Sequence, residues 1–145
     1  MTIRGAPAIG VAGAFGMVLA VRAKKPTSKT ELITILKETK EYLDKARPTA
    51  VNVMWATERI VQYATSLQDD CCFEEAILNE ANRMADEDVE INLKMAKNGA
   101  ALIPNNANVI HHCNTGALAT VDVGTALGVI YGKNDKIELN QRMCN

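Results

Sequence analysis

Asn108-Val109-Ile110-His111-His112-Cys113-Asn114-Thr115-Gly116 decides the fold class, because it breaks with a long helical pattern. It opens on the β-branched pair Val109 and Ile110 and closes on a polar Asn-Thr-Gly turn, which predicts a strand whose carboxyl end feeds a loop. A helix is expected to follow from about Ala117. Strand, small polar turn and Gly-containing helix start together make the opening unit of an α/β domain. The predicted class is therefore α+β or α/β, with a helical part over residues 1–104 and the start of the second domain over 105–145. Beyond Ile130 the sequence offers only weak alternation.

Upstream, apolar spacing predicts four helices. From Ala8 to Ala23 the small residues Gly10, Gly13, Gly16 and Ala20 run among Ile9, Val11, Phe15, Met17 and Val18, which reads as a fully buried helix approached closely by its neighbours. Ser28-Lys29-Thr30-Glu31 is a capping box, in which the Ser hydroxyl and the Glu carboxylate satisfy each other's free amides. Leu32, Ile35, Leu36 and Leu43 then recur until Pro48, which lacks an amide donor and disfavours helix at Arg47, so this helix covers about Ser28 to Lys45. Thr49 is placed to cap a third helix with Val51, Met54, Trp55, Val61 and Leu67 on its apolar face. A fourth begins near Asp69 or Asp70, uses Phe73, Ile77, Ala81, Met84 and Met95, and stops at Asn98-Gly99.

Composition narrows the function. Sixteen Lys and Arg against 17 Asp and Glu leave a formal charge of −1, so no global field draws nucleic acid or an anionic membrane. Cys71, Cys72, Cys113 and Cys144 form neither a CxxC pair nor a secreted disulfide framework, and reduced thiols in a cytoplasm are the default. The uncharged run Gly5 to Val21 lies between two arginines. It is too short to span a bilayer, and Pro7, Gly10, Gly13 and Gly16 weaken it as a signal-peptide core.

Three segments place polar groups at predicted helix starts: Arg4 to Gly10, Arg47 to Asn52, and His112 to Thr120. Free amides and the helix dipole favour anions there, and an arginine just upstream adds a bidentate donor for phosphate. Arg4 and Arg47 are either phosphate or sugar-hydroxyl contacts, or solvated arginines beside capping residues. Cys113, at the carboxyl end of the predicted strand, is either a reactive thiol or a buried small hydrophobe. Successive strand side chains point to opposite faces, so His111, His112 and Cys113 are not expected to converge on a metal. Cys71 and Cys72, and Met54 with Trp55, read as helix packing.

Taken together and in this order, RGAPAIG (4–10), RPTAVN (47–52), HCNTGALAT (112–120) and GTALGVI (124–130) resemble the methylthioribose-1-phosphate isomerase family. Those enzymes are aldose-ketose isomerases of methionine salvage, related to the alpha, beta and delta subunits of initiation factor 2B. The likeness runs from about Thr2 to Ile130. It implies a helical N-terminal domain followed by a Rossmann-like domain, of which this chain would hold the first strand and helix. It also implies that Arg4, Gly5, Ala6 and Arg47 contact the sugar phosphate and that Cys113 is the catalytic thiol, with Asn114, Thr115 and Gly116 as further phosphate or turn contacts. No cofactor and no metal are implied; the expected partners are a small sugar phosphate and, in the intact family, a second copy of the chain.

The family's substrate carries its phosphate on the anomeric oxygen, so the ring cannot open unaided and an acid must protonate the ring oxygen. A thiol serves as that acid only while its surroundings keep it protonated. The family pairs the cysteine with an aspartate from the later part of the Rossmann-like domain, and its members carry a further region before RGAPAIG. The resemblance thus implies an internal fragment that holds half of the site and is inactive alone. Asp122 stands where the family has small or aromatic residues and receives no role. Two alternatives remain: an isomerase acting on ribose 1,5-bisphosphate, and a non-enzymatic regulatory subunit like those of initiation factor 2B.

Overall fold

The computed structural model describes residues 3–69 and 71–133. It contains five helices: α1 (Ala6–Lys24), α2 (Lys29–Ala46), α3 (Val51–Ser66), α4 (Phe73–Ala100) and α5 (Thr125–Lys133). The chain divides into two units, Ile9–Ala85 and Met1–Ala8 with Asp86–Asn145.

The first unit is a helical bundle around an apolar core. Met17 and Val21 of α1, Leu32 and Leu36 of α2, Ile60 of α3, and Ile77 and Met84 of α4 are all essentially withdrawn from water. Each such side chain contributes roughly 1.5–3 kcal/mol relative to an exposed one. α1 departs from the fully buried helix expected of it. Its Gly10, Val11, Ala14, Met17, Val18 and Val21 form one buried face, while Leu19 is exposed. The close approach is real: a Cβ on Gly10 would stand 3.0 Å from the Asn52 carbonyl oxygen. Contrary to the expectation that this segment is too short to span a bilayer, α1 is by length and composition long and apolar enough to do so, but here its buried face serves the core.

Ser28 caps α2 as expected, its hydroxyl accepting from the Glu31 amide at 3.3 Å. The return bond differs, since the Glu31 carboxylate accepts from the Thr27 amide at 2.8 Å and from the Thr27 hydroxyl at 3.1 Å. α2 ends at Ala46, one residue from the predicted stop, with Arg47 in a non-helical conformation ahead of Pro48. α3 starts without a side-chain cap, and its N-cap is Ala50 rather than Thr49. Its buried face is Val53, Ala56, Thr57, Ile60, Val61 and Ala64. Val51 and Trp55, expected on that face, are 71% and 51% exposed. Val61 is buried as expected, but Val51 and Trp55 lie off the true stripe, where Ala56, Thr57 and Ala64 are small enough to let α3 approach its neighbours.

Two polar groups are buried in this unit, each with partners. Thr57 donates to Asp44 Oδ1 at 2.9 Å, and Asp44 Oδ2 accepts from Lys40 Nζ at 2.6 Å. Glu80 accepts from Arg59 Nε at 2.7 Å and pairs with Arg83 Nη2 at 2.5 Å. The Arg59 guanidinium also lies 5.6 Å from the Trp55 ring centre, which explains how an exposed tryptophan is held.

The second unit carries the correction to the fold class. Asn108–Cys113 forms no strand, and no strand occurs among the described residues. Helices are the only regular structure there, so the predicted α+β or α/β class, with the first strand of a Rossmann-like domain, does not hold. A strand exists only by pairing its amides and carbonyls with a neighbour. β-branched composition at Val109 and Ile110 supplies propensity but no partner. Ile110 is accordingly 97% exposed. The helix expected from Ala117 is displaced as well: residues 117–123 are turns and bends, and α5 starts at Thr125. α4 ends at Ala100, one residue past the expected stop at Asn98-Gly99, and Gly99 packs inside its last turn, facing Val129 of α5. Of the stretch beyond Ile130 where weak alternation is expected, Tyr131 to Lys133 continue α5, and the rest, with Asp70 and Cys144, lies outside the described residues.

Candidate functional site

Gly5 precedes α1 with φ +89°, a region that costs a residue bearing a Cβ. The site allows no Cβ in any case, since one there would overlap the backbone of Ala119. Three residues on, the Ala8 amide donates to the Ala119 carbonyl at 3.2 Å. The start of RGAPAIG is thereby fastened to the end of HCNTGALAT, 111 residues later in sequence by the numbering of Ala8 and Ala119. Arg4 and Ala6 flank this contact and are exposed. Pro7 falls in the first turn of α1, where its missing amide costs nothing.

Cys113 is exposed and adopts φ +81°. A left-handed cysteine is uncommon and is retained only where its surroundings impose it. Its carbonyl, which can only accept, receives a hydrogen bond at 2.8 Å from His111 Nε2. Without a strand, alternation does not separate the side chains of His111, His112 and Cys113. No group of three or more metal-binding side chains occurs among the described residues.

Beyond Cys113, Asn114 is exposed, while Gly116 is buried at φ +82° and donates its amide to the Gly124 carbonyl at 3.2 Å. Thr115 Oγ1 accepts from the Leu127 amide at 2.9 Å and lies 2.8 Å from Thr125 Oγ1. It therefore caps α5 from ten residues upstream. The Thr125 amide donates to Asn92 Oδ1 at 3.2 Å. Two amides that an anion at this helix start would use are thus already taken by the chain's own side chains.

Arg47 belongs to the other unit, as the C-cap of α2. Its amide donates to the Asp44 carbonyl at 3.3 Å and its carbonyl accepts from the Ala50 amide at 2.9 Å, which folds Arg47 to Ala50 into a tight turn. Beside it, Lys37, Lys40, Glu41, Lys45, Pro48 and Met54 line an open cavity of about 530 Å³. The hydrogen bond to Asp44 holds the Lys40 ammonium above its usual pKa, with Glu58 adding attraction and burial opposing it. Lys45 holds the Glu41 carboxyl below the usual carboxylate range. Arg4, Gly5, Ala6 and the 113–120 segment are gathered in one unit.

Sequence reasoning missed Asp88 and Asn92. Asp88 Oδ2 accepts from the Val121 amide at 3.0 Å, and Asn92 is buried. The available signal was an Asp and an Asn four apart on a helix, with the Asn at a core position.

Comparison with known proteins matches residues 2–139 to the initiation factor 2 subunit family. The chain is 51% identical over 134 residues to methylthioribose-1-phosphate isomerase 2 of Pseudothermotoga lettingae, covering 90% of this chain and 37% of that protein. It is 50% identical over 131 residues to the methylthioribose-1-phosphate isomerase of Synechococcus sp., covering 90% and 38%. The chain therefore spans well under half the length of these relatives. Among solved structures, 5-methylthioribose 1-phosphate isomerase from Pyrococcus horikoshii matches with a TM-score of 0.79 at 40% identity, covering 94% of this chain and 39% of that one. Translation initiation factor eIF-2B subunit delta from A. fulgidus matches with a TM-score of 0.78 at 39% identity, covering 96% and 44%. With a family match over nearly its whole length, the chain belongs to the initiation factor 2 subunit family, whose members similar to it include methylthioribose-1-phosphate isomerases.

Proposed function

We propose that this chain carries the thiol-bearing and phosphate-contacting part of an isomerase that converts 5-methylthioribose 1-phosphate to 5-methylthioribulose 1-phosphate. The observation that carries the reading is the fastening of the start of RGAPAIG to HCNTGALAT through Gly5, Ala8 and Ala119, which joins two of the four family motifs within one unit. In this reading Cys113 is the proton donor to the ring oxygen. Arg4, Gly5, Ala6 and Arg47 hold the sugar phosphate, and Asn114, Thr115 and Gly116 shape the turn beside it. The ligand is a small sugar phosphate, no cofactor is required, and the working form is a homodimer in the cytoplasm.

The test is a chimera in which this chain replaces the matching segment of the Pseudothermotoga lettingae relative, assayed for the ketose product beside the chain alone. The chimera is expected to turn over and the chain alone is not. Cys113→Ser in the chimera should lower kcat by roughly 10²–10⁴, the usual contribution of a general acid. A folded chimera without turnover, or one indifferent to Cys113→Ser, would overturn the reading. Offering ribose 1,5-bisphosphate in parallel separates the related sugar-phosphate isomerase.

One observation favours a second reading, as a regulatory subunit that acts by protein contact. The chain is as similar to the A. fulgidus subunit as to the P. horikoshii isomerase. Under that reading the chimera is inactive.

A further inference from the structure

We propose that Asp88 and Asn92, one turn apart on α4, are positioning residues that clamp the loop carrying Cys113 in its reactive shape. The proposal rests on reading Cys113 as the reacting thiol.

Asn92 is 2% exposed in the middle of a helix, a place where neither helix propensity nor burial favours a carboxamide. Both ends of that carboxamide are used. Its Nδ2 donates to the Asp88 carbonyl at 2.8 Å and to Asp88 Oδ1 at 3.1 Å. Its Oδ1 accepts from the Thr125 amide at 3.2 Å, while Asp88 Oδ2 accepts from the Val121 amide at 3.0 Å. Two loop amides on either side of Gly124 are thus held by side chains 33 residues earlier.

The hold is passed on toward the thiol. Gly124 accepts from the Gly116 amide, and the Thr120 hydroxyl lies 3.3 Å from the Gly116 carbonyl and 3.1 Å from that of Asp122. A Cβ on Gly124 would overlap Thr120 Oγ1 and stand 2.6 Å from the Gly116 carbonyl, so this crossing leaves no slack. Gly116 is three residues from Cys113, whose φ of +81° must be imposed from outside. A polar network with every member satisfied fixes one geometry, and loses it when one member is removed.

The experiment is site-resolved amide hydrogen exchange on the chain and its Asn92→Ala variant. The Gly116 and Leu127 amides touch neither Asp88 nor Asn92. In the variant they should exchange faster by on the order of tenfold, while the Leu36 and Ile60 amides keep their rates. Should Asn92→Ala fail to fold, Asp88→Ala removes only the bonds at the half-buried end and must show the same pattern, with Asp88→Asn intermediate. Unchanged exchange at Gly116 and Leu127 overturns the clamp. In the chimera, Asn92→Ala should lower kcat about tenfold at a KM held within about twofold, as expected when a reacting group is misplaced but binding is kept. Faster exchange with unaltered kcat overturns the positioning role. A chimera with no turnover overturns the isomerase reading instead, and exchange alone then decides the clamp.

Discussion

The bundle Ile9–Ala85 and the loop 113–125 are stabilised by opposite means. The bundle is built from apolar side chains, with Met17, Leu36, Ile60 and Ile77 fully withdrawn from water. Its polar contacts are supplements. The loop buries little beyond Gly116, Ala119, Thr120, Val123 and Gly124, and is shaped by hydrogen bonds from Asp88, Asn92, Thr115 and Thr120. An apolar core tolerates exchange of one side chain for another of similar volume. A polar network at van der Waals contact does not, which suits it to hold a reacting group in place.

The sharpest way to break this contrast is Ile60→Ala. A fully buried Ile should cost about 2–5 kcal/mol, read as a lowered denaturation midpoint. A loss under about 1 kcal/mol would mean that the bundle does not rest on its core. Thr115→Val keeps volume and removes the hydroxyl that caps α5, so it should cost about 0.5–2 kcal/mol, with Thr115→Ser recovering most of it. If Val is tolerated as well as Ser, the loop does not depend on polar contacts.

Trp55→Ala sharpens the comparison from the other side. A core tryptophan would cost roughly 3–5 kcal/mol, but one that is half exposed and held by Arg59 should cost only about 0.5–1 kcal/mol. The smallest effect is on pH dependence. Lys40 has its pKa raised in the folded chain, so its contribution to stability is complete below 10.5 and is lost as pH rises through the folded value. Glu41 has its pKa lowered, so its contribution is present above 4.5 and is lost as pH falls through the folded value. Lys40→Met should flatten the alkaline limb by no more than about 1 kcal/mol. A larger change would place an electrostatic term at the centre of the bundle's stability.

Legibility divides along the same line. In the bundle, a cap at Ser28, a stop at Pro48 and the spacing of Phe73, Ile77, Ala81 and Met84 were readable, because each is a local signal with a local cause. The exceptions were α1, which buries one face only, and α3, where Val51 and Trp55 were expected on the face that Val53, Ala56 and Thr57 actually form. In the loop, local signals misled. Val109 and Ile110 have strand propensity, but pairing is a property of two segments and cannot be read from one. The motifs around Gly5 and Cys113 could be noticed from sequence, yet the overlap that Gly5 alone avoids against Ala119 is a contact between distant residues. Asp88 and Asn92 were invisible for the same reason, since their partners lie 33 residues away.

Whether Cys113 stands in a sugar-phosphate site is read from the rate at which iodoacetamide alkylates Cys113 in the chimera, with and without saturating 5-methylthioribose 1-phosphate, using exposed Cys72 as an internal reference. In such a site the sugar phosphate slows alkylation of Cys113 severalfold and leaves Cys72 unchanged. Equal rates at Cys113 with and without the sugar phosphate would place the thiol outside the site.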